Sequence, residues 1–335
     1  RALLWSLAIF LVGWTLVHLP LASITQSISM LGWQQWCAWF GINAFIVGLG
    51  NQRWHNFISV LKTKISFTDL LYIRQAGQAV SFITPGPQFG GEPLQLYWLC
   101  KKGLPFEKAV LSIGLDRFYE VCINFIVLII CVLILLTIHD DLFTNTLFTP
   151  SYQSIGGFIL ALAIMIASVL LAHRRYAGIL KPVQYLLSNW LMHPKLQKIK
   201  NSWRSVKEDL AVLWRTRKSV FLSSAVVSLA VWAALLGELA LLLNFLNVEV
   251  DLSAFLLILI AMRLALLLPI PGGVGTLEAS IFWSFQYLNF STTAAIALIA
   301  LMRLRDLVIL LLGLYCLRRV GTKPSIVDSS LSVES

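Results

Sequence analysis

Ionisable residues inside long apolar stretches are the residues of this chain that could do chemistry. A charged side chain within a lipid bilayer is costly, so such residues are candidates for a functional site. Two acids, Glu92 and Glu278, each lie at or beside a Pro/Gly-rich stretch, and an arginine follows each of them 25 residues later. The candidate binding residues are Glu92, Asp116, Arg117, Glu278, Arg303, Asp306 and Arg263.

These residue types suit a ligand that carries phosphate or both charges. The guanidinium forks of Arg117 and Arg303 match two oxygens of a phosphodiester. Each acid is expected near the start of a helix, and a helix N-terminus holds a carboxylate or a phosphate through its free N–H groups. Acid, helix end and arginine together could hold a zwitterionic or anionic lipid headgroup.

A structural explanation of the same pattern stays open. Arg117 and Arg303 each have an acid three residues later, Glu120 and Asp306, and such pairs could neutralise each other and hold a helix bundle together. For Arg263, ligand binding and pairing are weighed equally. The glycines of the breaks could serve only tight turning and close packing; they are Gly86, Gly90, Gly91, Gly272, Gly273 and Gly275.

Composition predicts an all-α polytopic membrane protein as the setting of these residues. Hydrophobic residues make up 58% of the 335 positions and charged residues only 13%, whereas soluble domains have about 45–50% and about 25%. This excludes a soluble enzyme, a nucleic-acid-binding domain and a disordered chain. The net charge of +10 is interpreted as a signal of membrane orientation. Spacings of the five Cys and five His indicate neither disulfides nor a metal site, and we expect no cofactor.

A helix needs about 20 apolar residues to cross a bilayer. Six segments qualify, at roughly 2–22, 30–50, 117–138, 155–173, 219–243 and 296–317. Residues 68–103 and 254–290 instead show two apolar arms separated by a Pro/Gly break. Irregular backbone at membrane depth is tolerated where protein or water surrounds it, so both are predicted to be re-entrant hairpins.

Charges of the connecting loops predict the orientation. Basic loops face the cytoplasm, and residues 51–67 and 174–218 are basic, whereas 139–154 and 244–253 carry only acids. Both termini are then cytoplasmic, the first hairpin enters from the cytoplasm and the second from outside. Residues 174–218 are expected to form two basic amphipathic helices, either on the membrane surface or packed on each other. Residues 321–335 are expected to be disordered.

A shift of 186 positions relates the two hairpins. It brings seven identities between 82–117 and 268–303, where chance gives about two or three. We therefore expect a first repeat at 1–138, an outside loop with the fourth span at 139–173, and the remainder of a second repeat at 219–320. Three crossings per repeat make the copies inverted, as in many transporters; shared composition is the alternative.

The two breaks carry a family resemblance. Residues 85–92 (PGPQFGGE) with Asp116-Arg117, and residues 269–278 (PIPGGVGTLE) with Arg303, resemble the lysylphosphatidylglycerol synthase transmembrane-region (flippase-like) family of prokaryotic membrane proteins. The resemblance implies a bundle in the cytoplasmic membrane whose two hairpins form a headgroup cavity. It implies that the cavity is lined by Glu92, Asp116, Arg117, Glu278 and Arg303. Pro87-Gln88-Phe89 departs from the usual Gly-Val-Gly, so headgroup preference is expected to differ. The soluble aminoacyl-transferase domain of bifunctional members is not expected.

The leading functional expectation is a lipid translocase, and so a transporter rather than an enzyme. Its partners would be membrane lipids (an anionic or zwitterionic phospholipid or glycolipid) and no nucleic acid, with a homo-oligomer left open. No phosphate-binding loop for ATP is present in the sequence, so transport would be passive or coupled to protons. One alternative is an intramembrane transferase that acts on a lipid or polyprenyl phosphate through a cation at Asp140, Asp141, Glu249 and Asp251. Another is a non-transporting partner of a lipid-modifying enzyme.

Overall fold

Every regular element in the described part of the chain is helical. The computed structural model describes residues 31–61, 65–84, 90–138, 218–267 and 271–322. In chain order the helices are α1 (Trp33–Val60), α2 (Phe67–Ile83), α3 (Glu92–Lys101), α4 (Phe106–Ile138), α5 (Lys218–Phe245), α6 (Leu252–Leu266), α7 (Thr276–Tyr287) and α8 (Thr292–Thr322), with a 3₁₀ turn, Pro271–Gly273, before α7. The described residues up to Val132 and from Lys218 onward belong to one compact unit, and the last six residues of α4, 133–138, belong to a second unit.

Two of the described helices, α4 and α5, are long and apolar enough to cross a membrane. At about 1.5 Å per residue, even the shorter of them extends about 40 Å, which exceeds the roughly 30 Å hydrocarbon core. The all-helical class expected from composition is therefore confirmed for the described residues. The total of six spans stays a prediction.

Two helices extend well beyond the apolar runs that predicted them. α1 covers most of 30–50 but continues to Val60, so Arg53 lies within a helix and not in a loop. α4 begins at Phe106 and not near 117. The apolar-length criterion detects only the part of a helix that lipid can surround, and polar helical turns that pack against protein escape it.

Several predicted segments lie outside the described residues. They are the spans at 2–22 and 155–173 and the amphipathic helices of 174–218. Of the expected tail, residues 321 and 322 form the end of α8, and the remainder also lies outside.

Four short helices, in two pairs, flank the two backbone breaks. They contain 17, 10, 15 and 12 residues in α2, α3, α6 and α7 respectively. Ser66 and Asp251 cap α2 and α6 by accepting hydrogen bonds from the backbone N–H groups of residues 69 and 254. In the second break, three glycines at 272, 273 and 275 have φ of 58°, 61° and 87°, a left-handed backbone region that favours glycine.

The helices of the second half follow those of the first in a constant register. A shift of 186 relates α1 to α5, α2 to α6, α3 to α7 and α4 to α8, and each pair of starts agrees within two residues. α1 packs against α5, and α2 packs against α8. A hydrophobic core formed by α1–α4 contains Trp54, Ile58, Leu70, Ile73 and Leu99.

Candidate functional site

A triad of charged residues links the start of α3 to α4. The Nε atom of Arg117 lies 2.8 Å from Oε1 of Glu92, the first residue of α3. The Nη1 atom of Arg117 donates to Oε2 of Glu120 at 3.1 Å. We call Glu92, Arg117 and Glu120 the first triad.

The matching residues of the second half form the same arrangement. The Nε atom of Arg303 donates to Oε1 of Glu278 at 2.7 Å, and its Nη1 atom donates to Oδ2 of Asp306 at 3.1 Å. We call Glu278, Arg303 and Asp306 the second triad. Equivalent nitrogens of two arginines that are 186 residues apart therefore contact equivalent acids, so the structure brings together both acid–arginine pairs that the repeat suggested.

The second triad is the more fully bonded of the two. Glu278 also accepts a hydrogen bond from the backbone N–H of Gly275 at 2.7 Å, and Arg303 donates to the carbonyls of Gly272 and Gly273 at 2.9 and 3.0 Å. Glu92 contacts Arg117 without meeting hydrogen-bond geometry, and both of its carboxylate oxygens are buried without a hydrogen-bond partner. The acid of the first break is therefore the one with free acceptor capacity.

Asp116 binds two arginines that the sequence analysis did not include in the site. Arg53 Nε and Arg74 Nη1 each lie 2.7 Å from one of its carboxylate oxygens, and Asp116 is only 4% exposed. Arg53 also bonds to Glu120 at 3.0 Å, which joins this pair to the first triad. The sequence indicated only that a buried acid such as Asp116 requires a cation; it did not indicate which arginines supply it.

Another ion pair joins α5 to α8. Arg305 Nη1 lies 3.1 Å from Glu238 Oε2, and Arg305 Nη2 lies 3.3 Å from Oδ1 of Asp306. Asn43 of α1 donates to the other oxygen of Glu238 at 3.0 Å. Arg263, by contrast, has its guanidinium carbon 4.7 Å from the ring centre of Trp232.

The end of α2 contacts the second break. A Cβ added to Gly272 would lie 2.8 Å from Cε1 of Phe82, near the end of α2, and α2 packs against the 3₁₀ turn. A Cβ on Gly90 would overlap the side chain of Thr84, and one on Gly91 would overlap the carbonyl of Gly77. These contacts require glycine at 90 and 91. A Cβ on Gly273 would lie 2.9 Å from a methyl of Leu266, whereas one on Gly275 would meet nothing within 4 Å; Gly86 lies outside the described residues.

The acids that the transferase alternative invoked are placed differently from one another. Asp251 serves as the N-cap of α6, while Glu249 is exposed; Asp140 and Asp141 lie outside the described residues. Within the described ranges, no group of three or more His, Cys, Asp or Glu side chains is arranged to hold a metal ion.

Two apolar helices of membrane-spanning length, together with arginine–carboxylate clusters inside the bundle, are consistent with a helical membrane protein. The chain belongs to the family described as the lysylphosphatidylglycerol synthase TM region, which matches residues 2–313. The family suspected from the two break motifs is thus confirmed, and membership indicates a function related to membrane lipids. A search of curated proteins and a search of solved structures each gave no match.

Proposed function

We propose that this protein is a flippase- or scramblase-like lipid translocase that moves the headgroup of a phospholipid or lipid-linked molecule across a prokaryotic cytoplasmic membrane. The headgroup would pass between the α2–α3 and α6–α7 hairpins while the acyl chains stay in the bilayer. Family membership supports the link to lipids.

Helix lengths support the re-entrant form of both hairpins. α3 and α7 have 10 and 12 residues, or about 15 and 18 Å at 1.5 Å per residue, which is roughly half of the hydrocarbon thickness. Such helices can enter the membrane and not cross it. With six full spans and both termini cytoplasmic, the 186-residue register makes the halves an inverted repeat, the architecture of many transporters.

Unpartnered buried polar atoms on the first hairpin carry the proposal. Oε2 of Glu92, both polar side-chain atoms of Gln75 and Oε1 of Gln78 are buried without a hydrogen-bond or ion-pair partner, whereas Oε1 of Glu92 faces Arg117. The described residues of α6, the 3₁₀ turn and α7 include no such atom. Buried polar groups are almost always hydrogen-bonded to protein or water, so these atoms favour a polar group that comes from outside the chain.

The two triads give this headgroup path its charges. Glu92 has acceptor capacity for an ammonium or hydroxyl group, while the second triad holds the opposite break in place. Phe82 lies against Gly272, so passage of a headgroup requires α2 and the 3₁₀ turn to separate. The proposed contacts with lipid are Glu92, Asp116, Arg117, Glu278, Arg303 and Asp306.

Leaflet-selective labelling in proteoliposomes tests this function. Vesicles with a fluorescent headgroup-labelled phosphatidylglycerol are treated with an impermeant quencher; we expect the inner-leaflet lipid to become accessible faster than in protein-free vesicles. Glu92→Gln should slow transfer, and Glu249→Gln, a matched change at an exposed acid, should not. Wild-type transfer no faster than in protein-free vesicles would overturn the proposal and leave the transferase and the non-transporting partner as the alternatives.

A further inference from the structure

Arg263 differs from the other arginines inside the described bundle. Arg53, Arg74, Arg117, Arg303 and Arg305 each lie within 4 Å of a carboxylate. Arg263, in the last turn of α6, has neither a carboxylate within that distance nor a hydrogen bond among the described residues. Within the described part of the chain, this half-buried guanidinium therefore has no carboxylate within 4 Å.

Trp232 holds this guanidinium in place. Trp232 is 6% exposed, and the guanidinium carbon of Arg263 lies 4.7 Å from the centre of its ring, within the range of a cation–π interaction. That interaction uses the ring face and consumes none of the five N–H donors of arginine. The donors stay available to a ligand, and the side chain is partly exposed so that a ligand can reach it.

The position of Arg263 places this cation beside the second break. Two and three residues further along the chain, the carbonyl of Ala265 accepts a hydrogen bond from Thr276 at 3.3 Å and a methyl of Leu266 lies against Gly273. In the first half the equivalent position is Gly77, so an arginine occurs at this position in one half only. An unneutralised charge among apolar helices is costly, and a bound anion would offset that cost.

We infer that Arg263 and Trp232 form a binding subsite for the phosphate group of a lipid headgroup. A guanidinium fork bonds two phosphate oxygens at once, a geometry that a lysine ammonium does not reproduce. Because α5 and α6 are apolar helices, a phosphate attached to acyl chains fits this environment. The inference rests on the proposed translocase and names the chemical group of the substrate that this protein binds.

Lipid binding to the full-length protein in a neutral detergent tests the inference. Native mass spectrometry compares phosphatidylglycerol with a diacylglycerol glucoside that has no phosphate. We expect the glucoside to bind at least about tenfold more weakly, and Arg263→Gln to weaken phosphatidylglycerol binding by at least about tenfold. Arg263→Lys should bind phosphatidylglycerol with an affinity between those of wild type and Arg263→Gln, because lysine keeps the charge but not the guanidinium fork. Arg319→Gln, at an exposed arginine near the end of α8, is the matched control and should bind as wild type does.

Soluble glycerol phosphate distinguishes a lipid from a free anion. If it displaces phosphatidylglycerol from wild type only at concentrations about a hundredfold higher than the lipid, the acyl chains are part of recognition. Displacement at equal concentration would overturn the lipid assignment. Equal binding of the glucoside and phosphatidylglycerol, or unchanged binding by Arg263→Gln, would overturn the subsite itself.

Two further controls keep the outcome decisive. If the melting temperature shows that Arg263→Gln does not fold, the test uses Arg263→Lys and Trp232→Phe instead. The subsite then requires that at least one of these variants binds phosphatidylglycerol more weakly than wild type. The proposed translocase fails separately, when wild type transfers no lipid in vesicles. If wild type transfers lipid and Arg263→Gln shows the same preference for phosphate-bearing lipids, the subsite alone is wrong.

Discussion

At Arg303 one guanidinium joins two helices and a backbone break. It bonds to Glu278 and Asp306, and also to the carbonyl oxygens of Gly272 and Gly273. Those carbonyls face no helical partner because glycines in left-handed conformations interrupt the helix there. Arg303 thus neutralises two acids and satisfies the broken backbone at the same time.

This double role predicts that Arg303→Gln destabilises the protein more than Arg117→Gln. Removing one partner of a buried ion pair costs about 3–5 kcal/mol, and Arg303→Gln also leaves two carbonyls without their donor. Unfolding in mixed micelles, followed by circular dichroism, measures both free energies. If Arg117→Gln lowers the free energy of unfolding as much as Arg303→Gln or more, the backbone contacts of Arg303 contribute nothing to stability.

Asp116 supports a second prediction at the same scale. Asp116→Asn removes the charge that two buried arginines share, so we expect a loss of about 3–5 kcal/mol in the free energy of unfolding. Glu249→Gln makes the same chemical change at an exposed position and should cost less than about 0.5 kcal/mol. Similar losses for the two variants in the same micelle titration would contradict the buried role of Asp116.

Part of this charge network was predictable and part was not. The pairs Glu92–Arg117 and Glu278–Arg303 recur with the same spacing, so the repeat itself indicated them. Arg53 has no repeated counterpart, since the equivalent position is Leu239, and its partner Asp116 is 63 residues away. A contact that occurs once, between distant segments, leaves no periodic pattern for a single sequence to reveal.

At the scale of elements, the close contact of α2 with α8 depends on one glycine. A Cβ on Gly313 would lie 2.5 Å from the backbone oxygen of Gln75 and 2.6 Å from Cβ of Ala79. Because backbone atoms cannot move aside as a flexible side chain can, the two helices would have to separate. Such close approach through small residues is typical of helices packed in membranes.

We therefore predict opposite effects of alanine at two glycines in long helices. Gly313→Ala should destabilise by about 1–3 kcal/mol through overpacking. Gly114→Ala, in α4 with nothing within 4 Å of an added Cβ, should be neutral or stabilise by up to about 1 kcal/mol through helix propensity. Melting temperatures in one detergent compare them. If Gly313→Ala has the same melting temperature as wild type, α2 and α8 are not in the close contact described.

The elements themselves were predictable to different degrees. Pro/Gly clusters indicated both breaks, and the short helices that flank them, at 67–101 and 252–287, begin and end within three residues of the predicted 68–103 and 254–290. The start of α4 was not predictable from apolar length, because its first turns include Glu107 and Lys108. Those turns are helical through packing against neighbouring segments, which hydropathy does not record.

At the scale of the whole molecule, a repeated framework carries unequal polar groups. Both halves share the helix register and a triad. The first half adds two arginines on Asp116 and leaves Glu92 with free acceptors, whereas the second places Arg263 on Trp232. In the proposed translocase, the shared framework would form the path, and the differences between the halves would set the preference for one headgroup.

The most direct test of the central claim is cysteine accessibility on the two sides of the membrane. In a variant without the five native cysteines, single cysteines replace the exposed residues Thr68 and Phe106, which flank the first hairpin, or Glu249 and Thr292, which flank the second. An impermeant maleimide is applied to right-side-out and inverted vesicles. Two re-entrant hairpins of opposite entry predict that 68 and 106 react only from the cytoplasmic side, and that 249 and 292 react only from outside. Labelling of 68 and 106 from opposite sides would mean that the first hairpin crosses the membrane, and it would contradict the account.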